Sequence, residues 1–389
     1  MKKIKLLFVC SIAVVLSACG GEQGENTNPQ QELNSQQEKN NNQETENVGK
    51  EKMNIPEKYE AENDNVIFTT EIHVNQEVRN QSGLKNVTVV RKKIDKDKVY
   101  QQLFQGVEVE TEDKQEITLN DGSSITEYYY YGKNKEFLNV SPRVVQYSTA
   151  FYNYIYNCVD LSEGGNLNSY AQDTDFSFCS REDALKNIST ELGQMGIELG
   201  EIEYQLYALD YQTLQQNEYA MDMDGNEDTS IYKDNWSEED NCYYFFIRQK
   251  VGNLPEYHPY SDLFKNPIEE NAPIKVLYSK NGIESLEIER LYDFTESEDE
   301  TIELMSFDKV AEAVAYKYNQ LLTGAKYVIT DATLYYMTEN KGEGTYQMFP
   351  VWIFNVEETI ESNGETTSSS LLVFINAQTG EEIAMEDKY

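Results

Sequence analysis

The chain has 389 residues, with 69 acidic side chains against 32 basic ones and a formal net charge of −37. A molecule this negative lacks the basic face that nucleic acid or an anionic lipid surface requires, so nucleic acid is not an expected partner. The length allows two or more domains with real cores, and 29 Tyr beside only 2 Trp, 2 His and 8 Pro already narrows the chemistry.

Lys2, Lys3 and Lys5 make a basic start, and residues 4–16 form an apolar run too short to span a bilayer as a mature helix. The run ends in Leu16-Ser17-Ala18-Cys19. This resembles the lipobox of bacterial lipoproteins. The resemblance implies cleavage before Cys19, a diacylglycerol on its thiol, and a place on the extracytoplasmic face of the cell membrane. Each buried methylene contributes roughly 0.8 kcal/mol, so two or more acyl chains on one residue hold lastingly. Residues 1–18 then form a lipoprotein signal peptide. Residues 19–58 follow as a tether rich in Gln, Asn and Glu, with Leu33 and Val48 the only strongly apolar residues between Gly20 and Lys52. Such a segment cannot bury enough surface to offset chain entropy and is expected to be disordered, with a flexible span of roughly 35 Å.

From residue 59 the pattern is that of a folded chain. Residues 66–74 and 87–94 alternate β-branched or aromatic with polar side chains, as strands do. A short helix is expected over 97–104, stopped by Gly106. The turn pair Asp121-Gly122 precedes strands at 125–131 and 137–140. After Pro142, residues 144–161 carry Val145, Phe151, Tyr152, Tyr154, Ile155, Tyr156 and Val159, and are expected as a helix. Ser180-Arg181-Glu182-Asp183 resembles a capping box opening a helix to 195, with Ala184, Leu185, Ile188, Leu192 and Met195 on one face. Strands follow at 202–208 and 242–251. Residues 273–290 read as a hairpin turning at Asn281-Gly282, the pair that favours a type I′ turn. The last helix, 306–322, has Phe307, Val310, Ala311, Val314, Tyr318, Leu321 and Leu322 on a stripe and Gly324 just beyond it. Strands at 327–337, 349–357 and 369–376 complete the chain, and Thr379-Gly380 turns into a short final segment.

Two halves repeat this plan weakly. Helix 180–195 and helix 306–322 are each followed by three antiparallel strands closing in a glycine turn. The expected class is α+β, with tandem units of a helix packed on an antiparallel sheet. The divisions are an N-terminal α+β region at 59–175, a unit at 176–290 and a C-terminal unit at 291–389.

The tail Phe349-Pro350-Val351-Trp352 … Phe374-Ile375-Asn376-Ala377-Gln378-Thr379-Gly380-Glu381-Glu382-Ile383 resembles the ending of PepSY-type and YycI/YycH-like envelope domains, where a Pro-Val-Trp strand precedes one closing on Asn/Asp-Ala-x-Thr-Gly-Glu. The helix opening Ser306-Phe307-Asp308 stands where those domains place theirs, and the arrangement is similar to a group of clostridial lipoproteins. The resemblance covers roughly 270–389 and, more loosely, 176–290. It implies an extracytoplasmic binding or regulatory module, since such domains are linked to protease inhibition and to restraint of a sensor kinase. YycI/YycH-like proteins carry an N-terminal transmembrane helix, whereas this chain has a lipobox.

Candidate chemistry is sparse. His73 lies in an alternating strand. His258 stands near Ser261 and Asp262 in a proline-bounded stretch with no nucleophile elbow, so no catalytic residue is assigned. No His/Cys spacing fits zinc. Asp222-Met223-Asp224-Gly225-Asn226-Glu227-Asp228 gathers oxygens around a glycine but lacks the spacing and distal glutamate of a calcium loop, so neither metal nor cofactor is expected. Tyr128–Tyr131 and the aromatics of 144–161 offer either core packing or a stacking surface. Cys10 leaves with the signal peptide and Cys19 is lipidated; Cys158, Cys179 and Cys242 remain, either with one bridge such as Cys158–Cys179 or as three buried thiols. The expected function is a membrane-anchored, non-catalytic envelope module that binds or regulates a protein or peptide. The alternative is an envelope hydrolase, or a sugar- or peptide-binding lipoprotein, working through the His258 stretch or the tyrosine surface.

Overall fold

The computed structural model describes residues 52–118, 123–161, 165–257, 272–294, 301–321, 324–342, 345–362 and 365–383. Two sheets carry the α+β fold. In the first, Lys58–Asn63, Val66–His73, Lys326–Gly342 and Thr345–Ser362 lie side by side. The start of Thr345–Ser362 pairs with Val87–Arg91, which pairs with Tyr292–Phe294; its remainder pairs with Glu365–Asn376. In the second, Ile202–Leu209, Cys242–Val251, Ile274–Ser279, Gly282–Glu289, Val144–Ser148, Phe137–Val140, Ser124–Gly132 and Val109–Thr118 follow in that order, all antiparallel.

Each sheet has a helix on one face, and the two arrangements match. Helix Arg181–Gln194 begins at Ser180, whose hydroxyl accepts from the Asp183 amide, as the capping-box reading expects. It lays Ala184, Ile188 and Leu192 against Leu206, Tyr243, Phe245, Ile247 and Val276. Helix Phe307–Asn319 lays Phe307, Val310, Ala311, Val314, Ala315 and Tyr318 against Tyr327, Trp352, Phe354, Val356 and Val373. Fully burying each larger side chain contributes about 1.5–3 kcal/mol. Three strands in antiparallel succession follow each helix, which is the tandem plan the sequence suggests.

Three features depart from the expectations. The first is sheet membership. The chain passes between sheets between Arg91 and Val109 and again between Glu289 and Tyr292, while the division expected at 175/176 falls inside the second sheet. Val66–His73 pairs in parallel with Lys326–Gly342 across some 260 positions, and the Thr70 hydroxyl donates to the Ile329 carbonyl (2.9 Å) where the register shifts. The second is the helix expected over 144–161. Val144–Ser148 is a strand between Phe137–Val140 and Gly282–Glu289, and only Ala150–Tyr156 is helical. Val145 and Tyr147 alternate into the core, so β-branching and cross-strand pairing decide the conformation. The third is the hairpin turn. Ser279 pairs with Gly282, so Lys280 and Asn281 form the turn and Gly282 supplies the positive φ of 102°. A type I′ turn needs positive φ at both central residues, and neither Lys280 nor Asn281 has it, so the type I′ turn expected on Asn281-Gly282 is replaced by a different two-residue turn one position earlier.

The sheets meet at a buried clasp. The Gln249 side chain accepts from the Tyr292 amide (3.0 Å) and donates to the Tyr292 carbonyl (3.1 Å), imitating one rung of a ladder. On the face of the first sheet away from its helix, Tyr257 packs against Tyr335 and Phe374 and donates its amide to the Tyr336 carbonyl (2.7 Å).

Candidate functional site

Among the described residues a broad concavity forms where the helix expected over 144–161 gives way to a strand and a short helix. Because the 144–161 segment is a strand turning into a short helix, Ala150–Tyr156 projects over the face of the second sheet opposite Arg181–Gln194. The alternation of Cys242–Val251 sends Tyr243, Phe245 and Ile247 to one core, and Cys242, Tyr244 and Phe246 to the other, where Ile155 and Cys158 join them. The Thr149 hydroxyl, in the N-cap position, turns to the Glu284 carboxylate, which also accepts from Ser279 Oγ (2.6 Å) and Asn281 Nδ2 (3.2 Å). Glu284 is only 4% exposed, so this carboxylate fastens the hairpin turn to the helix start.

Past the helix the chain is tied down by side-chain amides. Asn166 donates to the Cys158 carbonyl (2.7 Å) and accepts from the Asp160 amide (2.8 Å). Asn217 donates to the Tyr170 hydroxyl (3.1 Å), which itself donates to the Cys158 carbonyl (3.0 Å). The Tyr219 amide donates to the Asn157 carbonyl (2.8 Å). Between these walls lies an open cavity of about 590 Å³, with Tyr152 and Tyr244 among its lining and Tyr156 and Tyr219 at its mouth. Tyr156 is 71% exposed and Tyr219 54%. Burial pushes the Tyr152 hydroxyl up and the Tyr244 hydroxyl well up, so both act as neutral hydrogen-bonding groups. Two solvent-facing rings over neutral hydroxyls suit a ligand with apolar faces and hydrogen-bonding edges.

The other candidates take different places. Cys19 and the group His258, Ser261 and Asp262 lie outside the described residues. His73 Nε2 meets Asp331 Oδ1 at 2.8 Å beside a cavity of about 510 Å³ that also receives Glu203, Lys250 and Tyr335. Burial alone would raise the Asp331 carboxyl; hydrogen bonds from His73, Thr330 and Asn355 hold it below its ordinary value instead. In the acidic stretch, Asp222 Oδ1 accepts from the Asp224 and Asn226 amides (both 2.9 Å), and these local bonds hold its carboxyl low. Its oxygens serve the turn itself. Tyr128 and Tyr130 pack toward the helix-covered core, and Tyr131 is exposed on the other side. Cys158 and Cys242 share one core while Cys179 packs against the other, so the second sheet separates Cys158 from Cys179 and all three thiols are free.

The turn over residues 376–380 in the tail reads structurally. Asn376 Oδ1 accepts from the Gln378 and Thr379 amides, and Gly380 takes a φ of 75° where a Cβ would stand 2.8 Å from Met305 Sδ. No protein-family model matches the chain, and no curated protein matches it. The fold itself recurs. An uncharacterised protein from Eubacterium rectale superposes with a TM-score of 0.58 at 18% identity, over 85% of this chain and 94% of that one. The C-terminal domain of Bacillus megaterium YpeB is far more distant, with a TM-score of 0.26 at 12% identity over 75% of this chain and 96% of that one. The first shows a shared architecture; the second lies below the level at which two folds are usefully compared.

Tyr219 and Asn217, like Tyr244, Asn166 and Glu284, are site residues that sequence reasoning misses. Tyr219 and Asn217 stand some 60 positions from Tyr156, on a segment whose periodicity marks only a short helix, Tyr211–Asn217. No local signal brings them to the cavity.

Proposed function

We propose that the chain is a lipid-anchored, non-catalytic module on the extracytoplasmic face of the membrane, and that it binds a protein or peptide partner through the tyrosine-walled cavity. The observation that carries this reading is the pair of exposed rings, Tyr156 and Tyr219, held at the cavity mouth by backbone and amide hydrogen bonds from two separate segments. Large, stiff aromatic side chains lose little conformational freedom on binding, and they dominate the energetics of most recognition surfaces. The lipobox at residues 16–19 supports display outside the cell, and the tether supports reach. It is shorter than the expected 19–58, because Met53 and Ile55 already pack against the core, Arg79 donates to the Ile55 and Pro56 carbonyls, and Lys58 opens the first strand. A non-catalytic role accords with Glu284, Asp222 and His73 serving local ends: Glu284 the hairpin and helix start, Asp222 its own turn, His73 its pair with Asp331.

A photo-reactive residue at Tyr156, activated on intact cells, tests this. The expected result is a covalent adduct with a discrete polypeptide, lost in Tyr219→Ala and lost when Cys19→Ala abolishes anchoring. An adduct indifferent to Tyr219→Ala, or protection by added oligosaccharide in place of any polypeptide adduct, would overturn it.

A further inference from the structure

We propose that the outer edge of strand Glu365–Asn376, over residues 365–372, is a docking site at which a basic partner polypeptide adds as an extended strand. This edge belongs to the first sheet, and the inference goes beyond the cavity reading. The far end of the strand shows which groups point outward. Asn376 donates its amide to the Glu381 carbonyl, and the Phe374 carbonyl accepts from Ile383, so even-numbered residues turn their amides and carbonyls away from the sheet. Pairing with Thr345–Ser362 runs through this strand without a register shift, so the same alternation gives Thr366, Ser368, Ser370 and Leu372 outward-facing groups. Among the described residues these have no backbone partner, and residues 365–369 are exposed.

Free edges invite pairing, and proteins guard them with charge, proline or bulges. Two other edges follow that rule. Val109–Thr118 carries Glu110, Glu112, Asp113, Lys114 and Glu116, and Lys58–Asn63 carries Lys58, Glu60 and Glu62. Residues 366–372, Thr-Thr-Ser-Ser-Ser-Leu-Leu, carry no charge, no proline and no bulge. The occupant's chemistry follows from the adjoining ladder. Residues 355–372 contain four glutamates and no basic residue. Alternation puts Glu357 and Glu361 on one face, and Glu358 and Glu365 on the other. An added strand would lie about 10 Å from the glutamate-bearing strand, within reach of lysine and arginine side chains on either face. A second copy would bring the same glutamates and another charge of −37, which opposes self-pairing.

The probe is a fluorescent twelve-residue peptide alternating lysine with threonine and valine, titrated into the purified full chain at low salt. Ser368→Pro removes one outward amide and spares the inner ladder; Ser370→Lys places a guard charge on the edge. Each is expected to weaken binding at least tenfold, while Thr118→Lys on the guarded edge changes it less than twofold and a glutamate-for-lysine peptide does not bind. If Ser368→Pro loses its native circular dichroism, Ser370→Lys against Thr118→Lys decides alone. Equal affinity in all variants, absence of binding to the parent chain, or a dimer dissolved by Ser368→Pro would overturn the proposal.

Discussion

Removing the Glu284 carboxylate should unfasten the wall of the cavity. Three donors converge on it: Thr149 Oγ1, Ser279 Oγ and Asn281 Nδ2. Hydrogen bonds to a charged acceptor contribute about 1.5–3 kcal/mol each, and buried donors left unpaired add their own cost. With water returning to part of the site, Glu284→Ala is predicted to cost about 3–4 kcal/mol. Glu284→Gln, which keeps an acceptor oxygen but loses charge, should cost about 1–2 kcal/mol. Urea unfolding followed by tyrosine fluorescence reads both values. Hydrogen exchange should also show faster opening over Ala150–Tyr156, since Thr149 stands at the start of that helix. A Glu284→Ala chain within about 0.5 kcal/mol of the parent would refute the claim that this carboxylate ties the hairpin to the helix.

Of Cys158, Cys179 and Cys242, only Cys179 should react with a thiol reagent in the native chain, because burial pushes the thiols of Cys158 and Cys242 well up and hides them; labelling with mass analysis of peptides checks this. Burial, aided by Glu284, Glu136 and Glu191, also pushes the Tyr147 hydroxyl up to about 12. The folded state therefore holds its proton where the unfolded chain has lost it, and stability should fall as pH rises from 10.0 toward about 12. Tyr147→Phe should flatten that fall by about 2 kcal/mol in unfolding measured across the same window.

What was legible in the sequence was local and periodic. The helices Arg181–Gln194 and Phe307–Asn319 declare themselves by spacing and by a serine before each, and Cys242–Val251 has the bounds that its run of β-branched and aromatic residues suggests. The helix expected over 144–161 shows where this stops. Its aromatics fit a helical stripe, yet Val144–Ser148 is fixed by Ser285–Glu289, some 140 positions on. The parallel pairing of Val66–His73 with Lys326–Gly342 depends on an even longer closure that no window of sequence can register. The cavity inherits this limit. Tyr152 and Tyr156 stand out in the sequence as aromatics, but Asn217 and Tyr219 arrive from a distant segment, and only the assembled fold shows Glu284 holding Thr149 at the start of the helix that carries Tyr152 and Tyr156.

The whole reading depends on a thiol carrying fat at the outer surface of a cell. Feeding cells an alkyne-bearing fatty acid and recovering the tagged chain measures this directly. The account predicts a labelled, membrane-bound chain whose first residue is Cys19, and no label in Cys19→Ala. An unlabelled chain recovered from the cytosol with residues 1–18 still attached would contradict it.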